Sequence, residues 1–277
     1  MNWLEILGLI VLGLTAGGLG GLLGIGGSVI MIPALMLLLD KNQHLAAAAA
    51  MIINAAIAFP AMYRHSRAKA VRWDVVIRML PAAIICIVLG VELSNTVDAA
   101  LLRRLFGVFL LYVIAMNVIR MVQSTGEPDV EAQRTSWPVC SVTGGLIGFV
   151  AGLLGIGGGA IGVPLIQRIC NLPLRQCIAS MSALMGVTAT VGAVMKNVTL
   201  DRVATASGET LHWMDSVEIA AVLLPTAVLG GLLGATLTHI LPLKYVRFAF
   251  LVLITIAAMR MLGLDQALWS LLPSSGT

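Results

Sequence analysis

Residues 13–33 of this chain recur as residues 144–164, and at a fixed offset of 131 the two segments are identical at 11 of 21 positions. The shared residues are Gly13, Gly17, Gly21, the run from Leu22 to Gly27, Ile30 and Pro33. They face Gly144, Gly148, Gly152, the run from Leu153 to Gly158, Ile161 and Pro164. The chain is therefore built of two related halves, each interrupting an apolar helix at the same place. A glycine inside a helix costs about 1 kcal/mol relative to alanine, so adjacent glycines mark a break rather than a continuation.

The surrounding segments are membrane segments. The chain is 59% hydrophobic and 11% charged, whereas soluble domains carry about 25% charge. Mean hydropathy is +0.99, and apolar runs long enough to span a bilayer recur along the sequence. The reading is an all-α, multi-pass protein of the cell membrane, surrounded by lipid. Glu5 precedes the first apolar run and no small-residue cleavage site follows, so the first helix is expected to remain as its own insertion signal. The net charge of +4 fits cytoplasmic loops and does not call for nucleic acid. Cys86, Cys140, Cys170 and Cys177 sit in or beside apolar runs without CxxC spacing and read as buried thiols.

Eight to ten helical segments are expected. Half one spans residues 1–122, with segments at 3–23, 28–39, 45–62, 75–93 and 101–122. A polar connector occupies 123–136. Half two spans 137–266, with segments at 137–154, 159–170, 177–195, 217–240 and 243–264, and a tail follows at 267–277. The repeat continues faintly: Leu80-Pro81 and Gly90 answer Leu224-Pro225 and Gly234. Arg64, Arg67, Lys69 and Arg72 cluster in one loop, which marks it as cytoplasmic. The equivalent stretch of half two, 196–216, mixes Lys196 and Arg202 with Asp201, Glu209 and Asp215 and reads as an external loop. Matching loops on opposite sides imply inverted repeats, the architecture of many secondary transporters. The pieces 28–39 and 159–170 are too short to cross, since 12 residues cover about 18 Å. They are expected to be broken or re-entrant helices lined by protein or a water-filled cavity.

The motif Gly24-Ile25-Gly26-Gly27-Ser28 and its partner Gly155-Ile156-Gly157-Gly158-Gly159 lack the Gly-Lys-Ser/Thr of a phosphate loop, and no strand precedes them. Glycines that end one helix expose backbone N–H groups at the start of the next, where the dipole favours an anion. Two such starts would suit an oxyanion. The regularly spaced Gly13, Gly17, Gly21 and Gly144, Gly148, Gly152 are expected to serve close helix packing. Pro33 and Pro164 each follow nine residues after the first glycine of the motif and are expected to kink the short helices.

Polar side chains inside apolar segments are the remaining candidates. Asn54 stands between helix glue and ligand. Ser180, Ser182, Thr188 and Thr190 can each bond back to their own helix. Arg168, Arg175, Lys196 and His44 lie at segment ends, where snorkelling is expected; one of them could draw anions to a vestibule. No metal site, cofactor motif, or acid/base or nucleophile constellation is present in the sequence, so an enzyme is not expected.

At the doubled Gly-Leu-Leu-Gly-Ile-Gly-Gly block, each copy followed by a proline, the chain resembles the TauE/SafE family, named for sulfite exporters. The resemblance covers nearly the whole chain. It implies a permease that moves sulfur-containing anions such as sulfite, thiosulfate or organosulfonates outward. Such a permease would hold the anion between the two breaks with Gly24, Gly26, Gly27, Ser28, Asn54, Gly155, Gly157, Gly158, Gly159, Ser180 and Ser182. Relatives often carry a small residue followed by Thr-Ser after the short helix. Here half two reads Ala179-Ser180-Met181-Ser182 and half one has alanine at 46–50, leaving Asn54 one turn later. Another small anion, carboxylate or inorganic, and a non-transporting membrane assembly partner stay open as alternatives. So do the coupling ion (proton or sodium) and a homodimer.

Overall fold

A computed structural model of the chain describes residues 3–23, 26–122, 133–207, 211–237 and 243–264. They form ten helices: α1 (Trp3–Leu23), α2 (Ser28–Leu38), α3 (Gln43–Arg67), α4 (Trp73–Thr96), α5 (Ala99–Val122), α6 (Trp137–Leu154), α7 (Gly159–Ile169), α8 (Leu174–Ser207), α9 (Trp213–Leu237) and α10 (Leu243–Leu262). No strand occurs among the described residues. Six helices (α3, α4, α5, α6, α8 and α9) are long and apolar enough to cross a membrane. The chain is a multi-pass membrane protein, as its composition demands. Gly24 and residues 123–132 and 265–277, which hold most of the connector and the whole tail, lie outside the described residues.

Local sequence sets the helix ends. The Asn42 side chain accepts the His44 N–H at 2.8 Å and caps α3. Trp3, Trp73, Trp137 and Trp213 each open a helix and are exposed, which suits the aromatic belt at a bilayer surface. On α4, Ile77, Ile85, Leu89 and Leu93 face outward while Val75, Met79, Ala83 and Ile87 are buried. Large apolar side chains on an outer face at helical spacing are what lipid solvates.

The helices pair between halves. The most extensive packing joins α4 to α6, α1 to α9 and α3 to α8, followed equally by α5 to α10 and α4 to α8. Numbering the five helices of each half in order, α4·α6 and α1·α9 are the same pairing with the halves exchanged. The glycine register repeats too. A methyl group added at Gly144, Gly148 or Gly152 would strike the backbone of Met79, Ala83 or Ile87. One added at Gly13 would strike the Thr226 side chain and meet the Leu223 carbonyl, and one at Gly17 would strike the backbone of Ala227. Both registers rise in the same direction, so α4 lies parallel to α6 and α1 parallel to α9. With Pro81 set against Pro225, Met79 corresponds to Leu223 and Ala83 to Ala227. The faint sequence match between these helices is therefore the same packing surface used twice. Across α3 and α8 the direction reverses, because Gly186 lies against Phe59 and Gly192 against Met51.

Most segment ends differ from the sequence reading by a few residues; α3 runs on to Arg67, so that Arg64 and Arg67 lie on its last turns and not in a loop. The short helices are 11 residues each, or about 16 Å, with Pro33 and Pro164 both sixth in their helix and buried. More important, α8 does not stop at Met195 but runs to Ser207. Asn197, Thr199 and Asp201 end the apolar run without ending the helix, so Lys196 and Arg202 lie on a helix and not in a loop.

Candidate functional site

The second glycine break is buried. Helix α6 ends at Gly155 (φ +77°), whose N–H returns to the Ala151 carbonyl at 2.9 Å. Gly157 (φ +65°) and Gly158 (φ +91°) then turn the chain into α7. Side chains rarely adopt these left-handed angles. Close approach adds to the constraint: a methyl at Gly155 would overlap Ala47, and one at Gly157 would stand 2.7 Å from the Asn54 Nδ2. The break therefore lies directly on α3. The first N–H groups of α7, at Gly159, Ala160 and Ile161, have no intrahelical carbonyl to meet, while Gly162 closes the first helical bond to Gly158.

The first break differs. Gly26 takes φ +85° but has open space where a methyl would go. Gly27 caps α2 with ordinary helical angles and accepts from Ile30 and Met31. Ser28, the first residue of α2, is buried and its hydroxyl donates to the Ile156 carbonyl at 3.0 Å. One break is thus bonded to the other through Ser28.

Asn54 is 1% exposed, and neither its Oδ1 nor its Nδ2 has a hydrogen-bond partner. A buried amide left unmatched costs about 1–3 kcal/mol, and native proteins seldom keep one without a reason. Gln43 is the second such case, with 0% exposure and both amide atoms unpartnered. It follows the capping Asn42 and so reads in the sequence as an ordinary helix-start residue; only its burial reveals it. Eleven residues separate Gln43 from Asn54, which is about three turns. The two amides therefore share one face of α3, with Ala47, the neighbour of Gly155, between them.

The hydroxyls of half two are bonded to protein partners, although Met181, between Ser180 and Ser182, packs against Gly158 and Gly162. Ser180 accepts the Arg72 backbone N–H at 3.0 Å. Ser182 bonds back to the Ile178 carbonyl, Thr188 to Leu184 and Thr190 to Gly186. Arg72 itself pairs with Asp74 at 2.9 Å and reaches the Gln133 Oε1 at 2.8 Å. Ser180 is thus tied to the basic turn between α3 and α4. Of the four charged groups expected to snorkel, Arg168 and Arg175 are exposed. His44 and Lys196 are buried, because α8 carries Lys196 along the inner side of α3.

The family described as Sulfite exporter TauE/SafE matches residues 9–261. "Probable membrane transporter protein MamO" of Paramagnetospirillum magneticum is 28% identical over 93% of this chain and 44% of its own length. The MamO protein of Magnetospirillum gryphiswaldense is also 28% identical, over 93% of this chain and 45% of its own. "Probable membrane transporter protein YunE" of Bacillus subtilis is 23% identical over 83% of this chain and 88% of its own. The chain thus spans less than half the length of the two MamO proteins. No solved structure matches. With a family match that takes in both glycine breaks and all but the outermost residues, this multi-pass membrane protein belongs to the TauE/SafE family of membrane transporters.

Proposed function

We propose that the chain is a secondary transporter that exports small sulfur-containing anions such as sulfite, thiosulfate or organosulfonates. The observation that carries this reading is the unpartnered Asn54 amide against Gly157, beside the free N–H groups that open α7. An amide NH2 and a row of backbone N–H groups are donors of the kind that replace water around an oxyanion without a fixed counter-charge. Gln43 offers another NH2 on the same face of α3, but about 16 Å away at its far end, out of reach of an anion held at Asn54. Ser28 holds the first break against the second, and Gly26 leaves room beside it. Within the proposal, Gly155, Gly157, Gly158 and Gly159 shape the site. Gly24, Gly26 and Gly27 supply the other wall, while Ser180 and Ser182, already bonded, act on the helix frame. The names of the family and of its relatives support transport, and the word sulfite in the family description is what favours sulfur anions within the proposal.

The antiparallel course of α3 and α8 and the exchanged pairing of α1 with α9 and α4 with α6 favour halves related by inversion. That relation lets one set of contacts open as the other closes. The test is export from proteoliposomes, paired with melting of the detergent-solubilised protein over a panel of sulfite, thiosulfate, a sulfonate, acetate and sulfate. Stabilisation and transport by one or more sulfur anions, both lost in Gly157→Leu with insertion intact, is the expected result. Response to acetate alone would move the substrate to carboxylates. No response to any anion would leave the glycines a packing role.

A further inference from the structure

Lys196 is 3% exposed in α8, and its ammonium donates to the Ser94 hydroxyl on α4 at 2.9 Å. One hydroxyl meets one of its three protons. No carboxylate lies within 4 Å among the described residues. The nearest acids in sequence or along α4 are exposed: Glu92, Asp98, and Asp201, which pairs with His212. Lys196 shares a crevice with His44, Asn95, Leu200 and Val203, so nothing that lines the crevice contributes negative charge. A buried cation without a counter-ion costs several kcal/mol, and inside a membrane segment such a group marks a pathway. In this conformation the crevice is too narrow for a water molecule. The neighbouring turn of α3 borders an open cleft of about 440 Å³ lined by Asp40, Lys41, Asn42, Leu45 and Leu211.

We infer that Lys196, Ser94 and His44 form a second small-anion site, separate from the glycine-break site and set at the opposite end of α3 from the Arg72 turn. His44 and Asn54 are ten residues apart on α3, about 15 Å, so one anion cannot touch both ends at once. The site is a station between the glycine breaks and the open cleft. Lys196 supplies the counter-charge that the break site lacks, and Ser94 orients the ammonium. Occupancy requires α4 and α8 to part, which links the site to the opening of that end.

The inference rests on the anion-transport reading, and the experiment separates the two. Melting shifts and transport are measured on full-length protein with thiosulfate, sulfate and a monovalent sulfonate, for wild type, Asn54→Leu, Lys196→Met and Lys196→Arg. Lys196→Met is expected to weaken dianion binding about tenfold and monoanion binding less, while Lys196→Arg stays near wild type. That dependence on charge is one a purely structural lysine would not show. Equal dianion affinity and rate in Lys196→Met and wild type would overturn the second site alone. Absence of any anion response in wild type would overturn the transport reading and this site with it. Should Lys196→Met fail to insert, Lys196→Gln against Lys196→Arg makes the same comparison, and equal loss of dianion and monoanion binding in the two variants counts against the site.

Discussion

At Asn54 the chemistry of a side chain and the cost of folding oppose each other. The amide has two donors and two acceptor positions, yet it lies buried and unmatched against a glycine whose own angle only glycine tolerates well. Replacing it with leucine removes the unmatched atoms. We expect Asn54→Leu to melt no lower than wild type, or higher by a stabilisation on the order of 1–3 kcal/mol, while losing about tenfold in anion affinity. A variant that loses stability and binding together would make Asn54 a structural residue instead. Gly157→Ala should disturb the same contact from the other side, by pushing on the Asn54 amide as well as straining the backbone. Combining it with Asn54→Ala should restore part of the lost stability, read as a positive coupling in a double-mutant cycle. Gly26→Ala meets no neighbour and should cost only the strain of its left-handed angle, about 1 kcal/mol.

Among the elements, the paired helices show what the glycine spacing achieves. Gly144, Gly148 and Gly152 let the α4 backbone approach α6 so closely that any side chain there would collide with a carbonyl or amide. Gly90 does the same in return against Phe149. Gly148→Leu is therefore expected to separate α4 from α6 and reduce the yield of folded protein, by more than the 1–3 kcal/mol usual for overpacking; size-exclusion profile and melting report it. Much of this was legible in the sequence. The glycine period announced packing, the Gly-x-Gly-Gly motif announced a break, and residues 137–154 matched α6 to the residue. Hydropathy misplaces the end of α8, because polar residues stop an apolar run while a helix continues wherever its backbone bonds are met. It also hides Gln43 and Lys196. Both stand at the edges of apolar segments, and only the packing of α3 against α8 shows that these edges are interior. The hydroxyls of Ser180 and Ser182 are polar letters in the right segment, but which partner each takes is a question of three-dimensional neighbours.

For the molecule as a whole, the orientation of the halves makes a topological prediction. The turn holding Arg67, Lys69 and Arg72 is placed inside by its charge, and the antiparallel run of α3 and α8 places the start of α9 outside. In protein with Cys86 changed to serine, a cysteine at Ala68 should react with a membrane-impermeant maleimide only after permeabilisation. A cysteine at His212, which is exposed, should react in intact cells. Labelling of both from one side would exclude the inverted arrangement.

The exchange of partners between halves also has a consequence for synthesis. Gly17 on α1 packs against Ala227 on α9, about 210 residues further along the chain. At about 5–20 residues per second, the ribosome needs roughly 10–40 s to supply that partner. During this interval the bare glycine face of the first helix is in the bilayer with nothing to clasp. The α4–α6 pair carries no such delay, since its members are nearly consecutive. Assembly is thus lopsided in time although the two pairings use matching surfaces, and the first helix made is among the last to find its place.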